Sequence, residues 1–168
     1  CFVVMDGGEA LVVDTGAPTD EGAAVLDASL DELGIDRARA TFFLTHLHLD
    51  HAGLVDRIVP DGAPVLMSAV DFEAARASRA STAFDASRRR LLAEGVGAGD
   101  ASGYARYAVE PPLFDPGRVR ATFVSEGDEV AVGRFRFRVI EVPGHTPGHL
   151  ALFEPDSGVL FGGDHVLF

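Results

Sequence analysis

The six histidines of this 168-residue chain fall in three short segments. The densest is Thr45-His46-Leu47-His48-Leu49-Asp50-His51-Ala52-Gly53, four potential ligands in six positions, directly after the apolar run 40–45. Such a run has to end as a buried strand that delivers the chain to His46. Alternate residues of an extended segment point the same way, so His46 and His48 can face one cation. A turn after His48 lets Asp50 and His51 face a second point about 3.5–4 Å away, the usual spacing of two-metal sites. Imidazole and carboxylate suit zinc, at distances of about 2.0–2.2 Å. The alternative is a polar loop with incidental histidines, and the rarity of His argues against it.

Two later segments supply what a site of this kind lacks. In Val142-Pro143-Gly144-His145-Thr146-Pro147-Gly148-His149, His145 ends a strand and sits in a turn fixed by two Pro and two Gly. Rigidity of that kind suits a third ligand, because a metal site tolerates only fractions of an ångström. His149 reads as orienting the loop by hydrogen bonding, as outer partners of ligands do. In Leu160-Phe161-Gly162-Gly163-Asp164-His165, Asp164 follows a strand and two Gly. Its carboxylate can bridge two cations with one oxygen on each, an assignment that leans on the other two segments. His165 reads as structural.

The surrounding pattern is α/β. Two apolar runs, 2–6 and 9–14, joined by Asp6-Gly7-Gly8, predict a hairpin. Thr19 or Asp20 caps a helix whose apolar positions are Ala24, Val25, Ala28, Leu30 and Leu33, and Gly34 stops it. Residues 53–59 read as a short helix and Pro64 to Met67 as a strand. The stretch 69–117 is rich in Ala, Arg, Ser and Gly and reads as a helical insertion of two or three helices near the active site, closed by prolines at 111, 112 and 116. Arg88-Arg89-Arg90 within it is a solvated helix face or a contact for an anionic group. Strands return at 121–124, 129–132, 134–142, 150–154 and 159–163. Residues 134–139 alternate Arg and apolar residues, a half-buried strand with Arg on its wet face.

Composition narrows the function classes. A net charge of −12 argues against a nucleic-acid surface. All 14 basic residues are Arg, which reads as a genomic bias. The single Cys excludes an internal disulfide framework and any multi-Cys zinc site, and it fits a reducing, cytoplasmic setting. No apolar stretch is long enough to cross a bilayer as a helix. The opening Cys1-Phe2-Val3-Val4 reads as mid-strand, so a piece of a longer protein is expected.

The HxHxDH motif at 46–51, GHTPGH at 144–149, GD at 163–164 and the early Asp14-Thr15-Gly16 together resemble the metallo-β-lactamase superfamily across nearly the whole chain outside the insertion. The resemblance implies one domain over 1–168, an αββα sandwich with its second half incomplete at the C-terminus. It implies that His46, His48 and His145 hold metal one, that Asp50 and His51 hold metal two, that Asp164 bridges and that Asp14 supports the ligands from behind. It implies a zinc-dependent hydrolase whose metal-bound hydroxide cleaves a thioester, lactone or similar acyl bond, with Asp50 orienting the nucleophile and moving its proton. Zn2+ is the expected cofactor, at two sites, with Fe or Mn as other occupants. The superfamily's last His for metal two lies some tens of residues beyond the bridging Asp. A complete first site and a short second site are therefore expected, with an exposed sheet edge or completion by a neighbour in a homodimer.

Asp164 favours the glyoxalase II-like and lactonase-like branches, since true β-lactamases usually carry Cys or Ser there. Leu167 stands where acyl-homoserine lactonases usually carry Tyr. The diiron-flavoprotein branch has Glu at the position of His48. The partner expected is a small-molecule substrate, with no nucleic acid and no membrane. Two alternatives stay open: a metal-binding domain without turnover, and a phosphodiesterase or nuclease of the same superfamily.

Overall fold

Strands β1 (Phe2–Asp6) and β2 (Glu9–Val13) pair antiparallel with Asp6 opposite Glu9, leaving Gly7 and Gly8 as a two-residue turn. Both glycines have positive φ, 60° and 84°, as the tight hairpin turn that matches strand twist demands. The computed structural model describes residues 1–77, 82–107, 114–115 and 117–165. Helix α1 (Asp20–Glu32) follows, with the Thr19 hydroxyl accepting from the Gly22 N–H at 2.9 Å.

The chain then runs β3 (Thr41–Phe43), α2 (Leu49–Ala52), α3 (Val55–Ile58) and β4 (Pro64–Met67). Helices α4 (Ala69–Ala77), α5 (Thr82–Ala93) and α6 (Ala98–Tyr107) come next, then β5 (Arg120–Phe123). The first sheet has the order β1-β2-β3-β4-β5, parallel from β2 onward. The second is an antiparallel meander of β6 (Glu129–Val132), β7 (Phe135–Glu141), β8 (Leu150–Glu154) and β9 (Val159–Phe161).

Strand β2 shows how the layers form. Val12 packs with Ala23, Leu26 and Leu30 of α1 and Val55 and Ile58 of α3 on one face. Leu11 and Val13 pack with Phe137 and Val139 of β7 and Leu150 and Leu152 of β8 on the other. A central strand buried on both faces is a continuous apolar run, as in Ala10-Leu11-Val12-Val13. Strand β7 has one wet face: Arg136 and Arg138 are exposed while Phe137 and Val139 are buried. At the far rim the sheets are fastened directly. Glu9 accepts from the Gly133 N–H at 2.7 Å and Asp6 from the Arg134 N–H at 2.8 Å.

Some sequence expectations shift. Helix α1 buries Ala23, Leu26 and Leu30, and leaves Ala24, Val25, Ala28 and Leu33 outside the core. Its alanines make two faces nearly equal in hydropathy, and packing on β2 decides between them. The helix expected over 53–59 is two short turns, 49–52 and 55–58. The strand expected over 40–45 pairs as strand only at 41–43, although the Leu44 N–H still donates to the Leu66 carbonyl at 2.9 Å. Among the described residues, the segment expected as an insertion holds three helices; α5 and α6 are joined by an Arg88 to Ser102 hydrogen bond of 3.1 Å, and Arg90 pairs with Glu94 at 3.0 Å. Its far end returns to the outer helices, where the Asp115 N–H donates to Asp56 at 2.8 Å. Leu167 and the prolines at 111, 112 and 116 lie outside the described residues.

Candidate metal centre

Three strand ends and one turn meet at the same rim. Strand β2 runs out into Asp14, β3 leads through Leu44 to residues 45–48 and the start of α2, the 142–149 loop joins β7 to β8, and the 163–165 turn follows β9. The Leu150 N–H donates to the Thr45 carbonyl at 2.8 Å, so the backbone itself places the 145 loop beside the 46–48 loop.

Asp14 organises the base of the site. It is buried and is the only non-glycine with positive φ among the described residues, at 60°. Asp is among the few residues that tolerate this conformation, and such outliers cluster at functional sites. Its Oδ1 accepts the Thr45 N–H at 2.8 Å, its carboxylate accepts the Thr45 hydroxyl at 2.9 Å, and its Oδ2 faces His51 Nδ1 at 2.8 Å. The Thr15 hydroxyl donates to the His51 carbonyl at 3.0 Å, holding that residue from both ends.

These bonds assign tautomers. Thr45 has one hydroxyl proton and gives it to Asp14, so its oxygen accepts from His46 Nδ1, 3.1 Å away. His46 Nε2 is then a bare lone pair. His51 donates Nδ1–H to Asp14, which turns its Nε2 inward toward Asp164. The inward nitrogens converge: His46 Nε2 lies 3.1 Å from His48 Nδ1, which lies 2.8 Å from His145 Nε2. Nitrogens bound to zinc at about 2.0–2.1 Å in a tetrahedron stand about 3.3 Å apart, close to this spacing.

Asp164 sits between the two halves. Its Oδ2 is 3.2 Å from His145 Nε2 and its Oδ1 is 3.2 Å from His51 Nε2. His46, His48 and His145 form one donor group, and His46, His51 and Asp164 form another. Asp50, at the start of α2, stands at the open edge: its side chain is 68% exposed and its Oδ2 is 3.9 Å from His51 Nε2. It joins neither group. The donor types and their spacing fit a borderline divalent cation such as zinc.

Electrostatics favour neutral rings at His46, His48 and His149 and a proton on His51. Burial, then the neighbouring His51, His149, His48 and His145, pushes the His46 pKa down to about 2. Burial and then His145 lower His48 and His149 as well. Burial works against a charge on His51, but the hydrogen bond and charge of Asp14, with Asp164 and Asp50, outweigh it and raise its value. A group held neutral in the fold takes up its proton on unfolding. The stability from His46, His48 and His149 is therefore fully present above their ordinary 6.5 and is lost as pH falls below it. His51 acts oppositely, stabilising below 6.5 and losing that contribution as pH rises through its raised value. With three groups against one, the metal-free protein is expected to melt at lower temperature at pH 5 than at pH 7.5. Melting curves across this range test it, and a flat or rising profile on acidification refutes it.

His149 departs from its expected role. Both ring nitrogens are buried and have no hydrogen-bond partner among the described residues. The ring instead packs 4.6 Å from that of His46 and 5.9 Å from that of His145. Its Nε2 lies 2.5 Å from where a Cβ at position 163 would stand, so Gly163 lets the Asp164 turn close over the ring. The loop is oriented by a residue that sequence reasoning missed. Asp71, in α4, accepts from the Leu47 N–H, the Thr146 hydroxyl and the Gly148 N–H. One Asp in the first turn of a helix reads as an ordinary dipole partner, and nothing local marks its reach. His165 is exposed in the final turn, its ring 6.4 Å from His149.

The family model of the metallo-beta-lactamase superfamily matches residues 1–168. The chain belongs to the metallo-beta-lactamase superfamily. It is 34% identical over 169 residues to a hydroxyacylglutathione hydrolase of Cereibacter sphaeroides, covering 99% of this chain and 47% of that protein. It is 31% identical over 169 residues to an uncharacterised protein of Aquifex aeolicus, covering 98% of this chain and 64% of that protein. Among solved structures, a metallo-beta-lactamase family protein from Thermus thermophilus superposes with a TM-score of 0.76 at 31% identity, over 98% of this chain and 54% of that one. The chain thus spans about half to two thirds of the length of these relatives. No helix among the described residues is long and apolar enough to cross a membrane.

Proposed function

We propose that this chain carries the metal-holding part of a zinc-dependent hydrolase that cleaves a thioester or similar acyl bond in a small-molecule substrate. One observation carries the reading: ring nitrogens of His46, His48, His145 and His51 converge beside the Asp164 carboxylate, and the outward nitrogens of His46 and His51 are held by Thr45 and Asp14. The hydroxyacylglutathione hydrolase likeness favours a thioester over a lactone. The net charge of −12 disfavours the nuclease alternative. The single, exposed Cys1 goes with a cytoplasmic setting.

In this reading His46, His48 and His145 would hold one cation and His51 and Asp164, beside His46, would hold the second, with Asp50 at the open edge next to His51. Bound zinc supplies Lewis acidity to a substrate carbonyl and lowers the pKa of water toward about 7. The protein's own part is positioning and proton traffic. Asp14 and Thr45 keep protons on the outward nitrogens of His51 and His46, so the inward ones stay free to bind. Asp50, open to solvent beside His51, accepts the proton of the attacking water at Oδ2 and returns it to the leaving group.

The test is hydrolysis of an acyl-glutathione thioester, a lactone and a phosphodiester by the zinc-loaded protein, before and after chelation and after reloading. Thioester turnover that disappears with chelator and returns with zinc is expected. Stoichiometric zinc with no turnover of any of the three selects the binding domain without catalysis.

A further inference from the structure

Asp71 is 1% exposed, and no Arg or His is paired with it among the described residues. Its two oxygens are nonetheless filled. Oδ2 accepts the Leu47 N–H at 3.1 Å and the Thr146 hydroxyl at 2.9 Å, and Oδ1 accepts the Gly148 N–H at 2.9 Å. Leu47 lies between the ligands His46 and His48, and Thr146 follows His145. One carboxylate therefore joins two ligand loops that are about a hundred positions apart in the chain.

We infer that Asp71 is a positioning residue that sets His145 against His46 and His48 for cation binding. The inference rests on the metal reading of the site. The surroundings are built around this role. The Ser68 hydroxyl accepts the Asp71 N–H at 3.0 Å and fixes the start of α4. A Cβ on residue 148 would fall on Ser68 Oγ and Asp71 Oδ1, so Gly148 is what lets the 145 loop come close enough. An amide in place of the carboxylate offers one acceptor oxygen and turns an N–H toward a donor. At least one of the three buried bonds is lost, and the two loops are free to shift against each other.

Loops held only for the sake of the fold lower the melting temperature when released and leave the cation's affinity unchanged. Loops held for the site change the affinity and the ligand field. The experiment compares the full chain with Asp71→Asn by zinc titration against a chromophoric chelator, Co2+ absorption spectra and melting of the metal-free proteins. Asp71→Asn is expected to fold, to show an altered Co2+ spectrum and to bind zinc about 10–100-fold more weakly, the usual effect of losing an outer partner. Unchanged affinity and spectrum with a lower melting temperature overturn the inference. If the unaltered chain takes up no zinc, the metal reading fails and the inference falls with it, a result distinct from the previous one. If Asp71→Asn does not fold, Thr146→Val decides, since it leaves Asp71 and both backbone donors in place. A loss of about 2–10-fold in zinc affinity, the size of one hydrogen bond, supports the inference, and equal affinity overturns it.

Discussion

Replacing His46 by Ala is expected to abolish the stabilisation that zinc gives this protein. His46 belongs to both donor groups, is 1% exposed and contributes a nitrogen whose opposite atom is committed to Thr45. A ligand at about 100 times its Kd stabilises by about 2.7 kcal/mol. For a chain of this size that is a rise of roughly 5–10 °C in melting temperature. The unaltered protein should show this rise when titrated with zinc, and His46→Ala should show none. The variant keeps its fold, because the two apolar clusters that pack the layers do not include His46. His165→Ala, at an exposed residue outside both groups, should keep the full rise. A zinc-dependent shift of ordinary size in His46→Ala would remove this residue from the site.

Asp14→Asn is expected to separate fold from site. Asn tolerates the left-handed backbone that position 14 adopts, and its carbonyl oxygen can still accept from Thr45. Its NH2 group then faces His51 Nδ1, where the carboxylate Oδ2 stood at 2.8 Å. A donor there leaves Nδ1 as the acceptor and moves the ring proton to Nε2, the atom that meets Asp164. The stability cost should be about 1–3 kcal/mol, that of one spoiled buried hydrogen bond. Zinc affinity should fall by about 10–100-fold, because His51 presents a proton in place of a lone pair. Competition titration and melting of the metal-free variant measure the two effects separately. Equal zinc affinity in Asp14→Asn and the unaltered protein would show that the His51 tautomer is set by something other than Asp14.

The convergence of donor residues was legible because their signal is local. His46 and His48 share a side of one extended segment, and each donor-bearing segment follows an apolar strand. The hairpin was legible because Gly7 and Gly8 both carry the positive φ that its turn requires. What was illegible depends on distance in the chain or on small differences in hydropathy. Asp71 lies 24 residues from Leu47 and 75 from Thr146, and a single carboxylate in a helix announces neither partner. The face of α1 hinged on Ala23 and Leu26 against Ala24 and Val25, a choice made only when the helix meets Val12. His149 was expected to bond through its ring. It instead acts as a packed wall against His46, because the task of holding its loop belongs to Asp71.

The fastening of the two sheets has a consequence for ionic size. Asp6 and Glu9 clamp the backbone at positions 133 and 134 on one rim, and the Leu150 to Thr45 bond clamps the other. The width of the gap between the layers is therefore set by the scaffold, independently of any occupant. A large, hard cation asks for six to eight oxygens at about 2.3–2.6 Å, whereas the frame presents imidazole nitrogens at 2.8 and 3.1 Å from one another, close to the spacing of about 3.3 Å in a zinc tetrahedron. A small cation that favours nitrogen finds its donors already in place, and little of its binding energy goes into moving the layers.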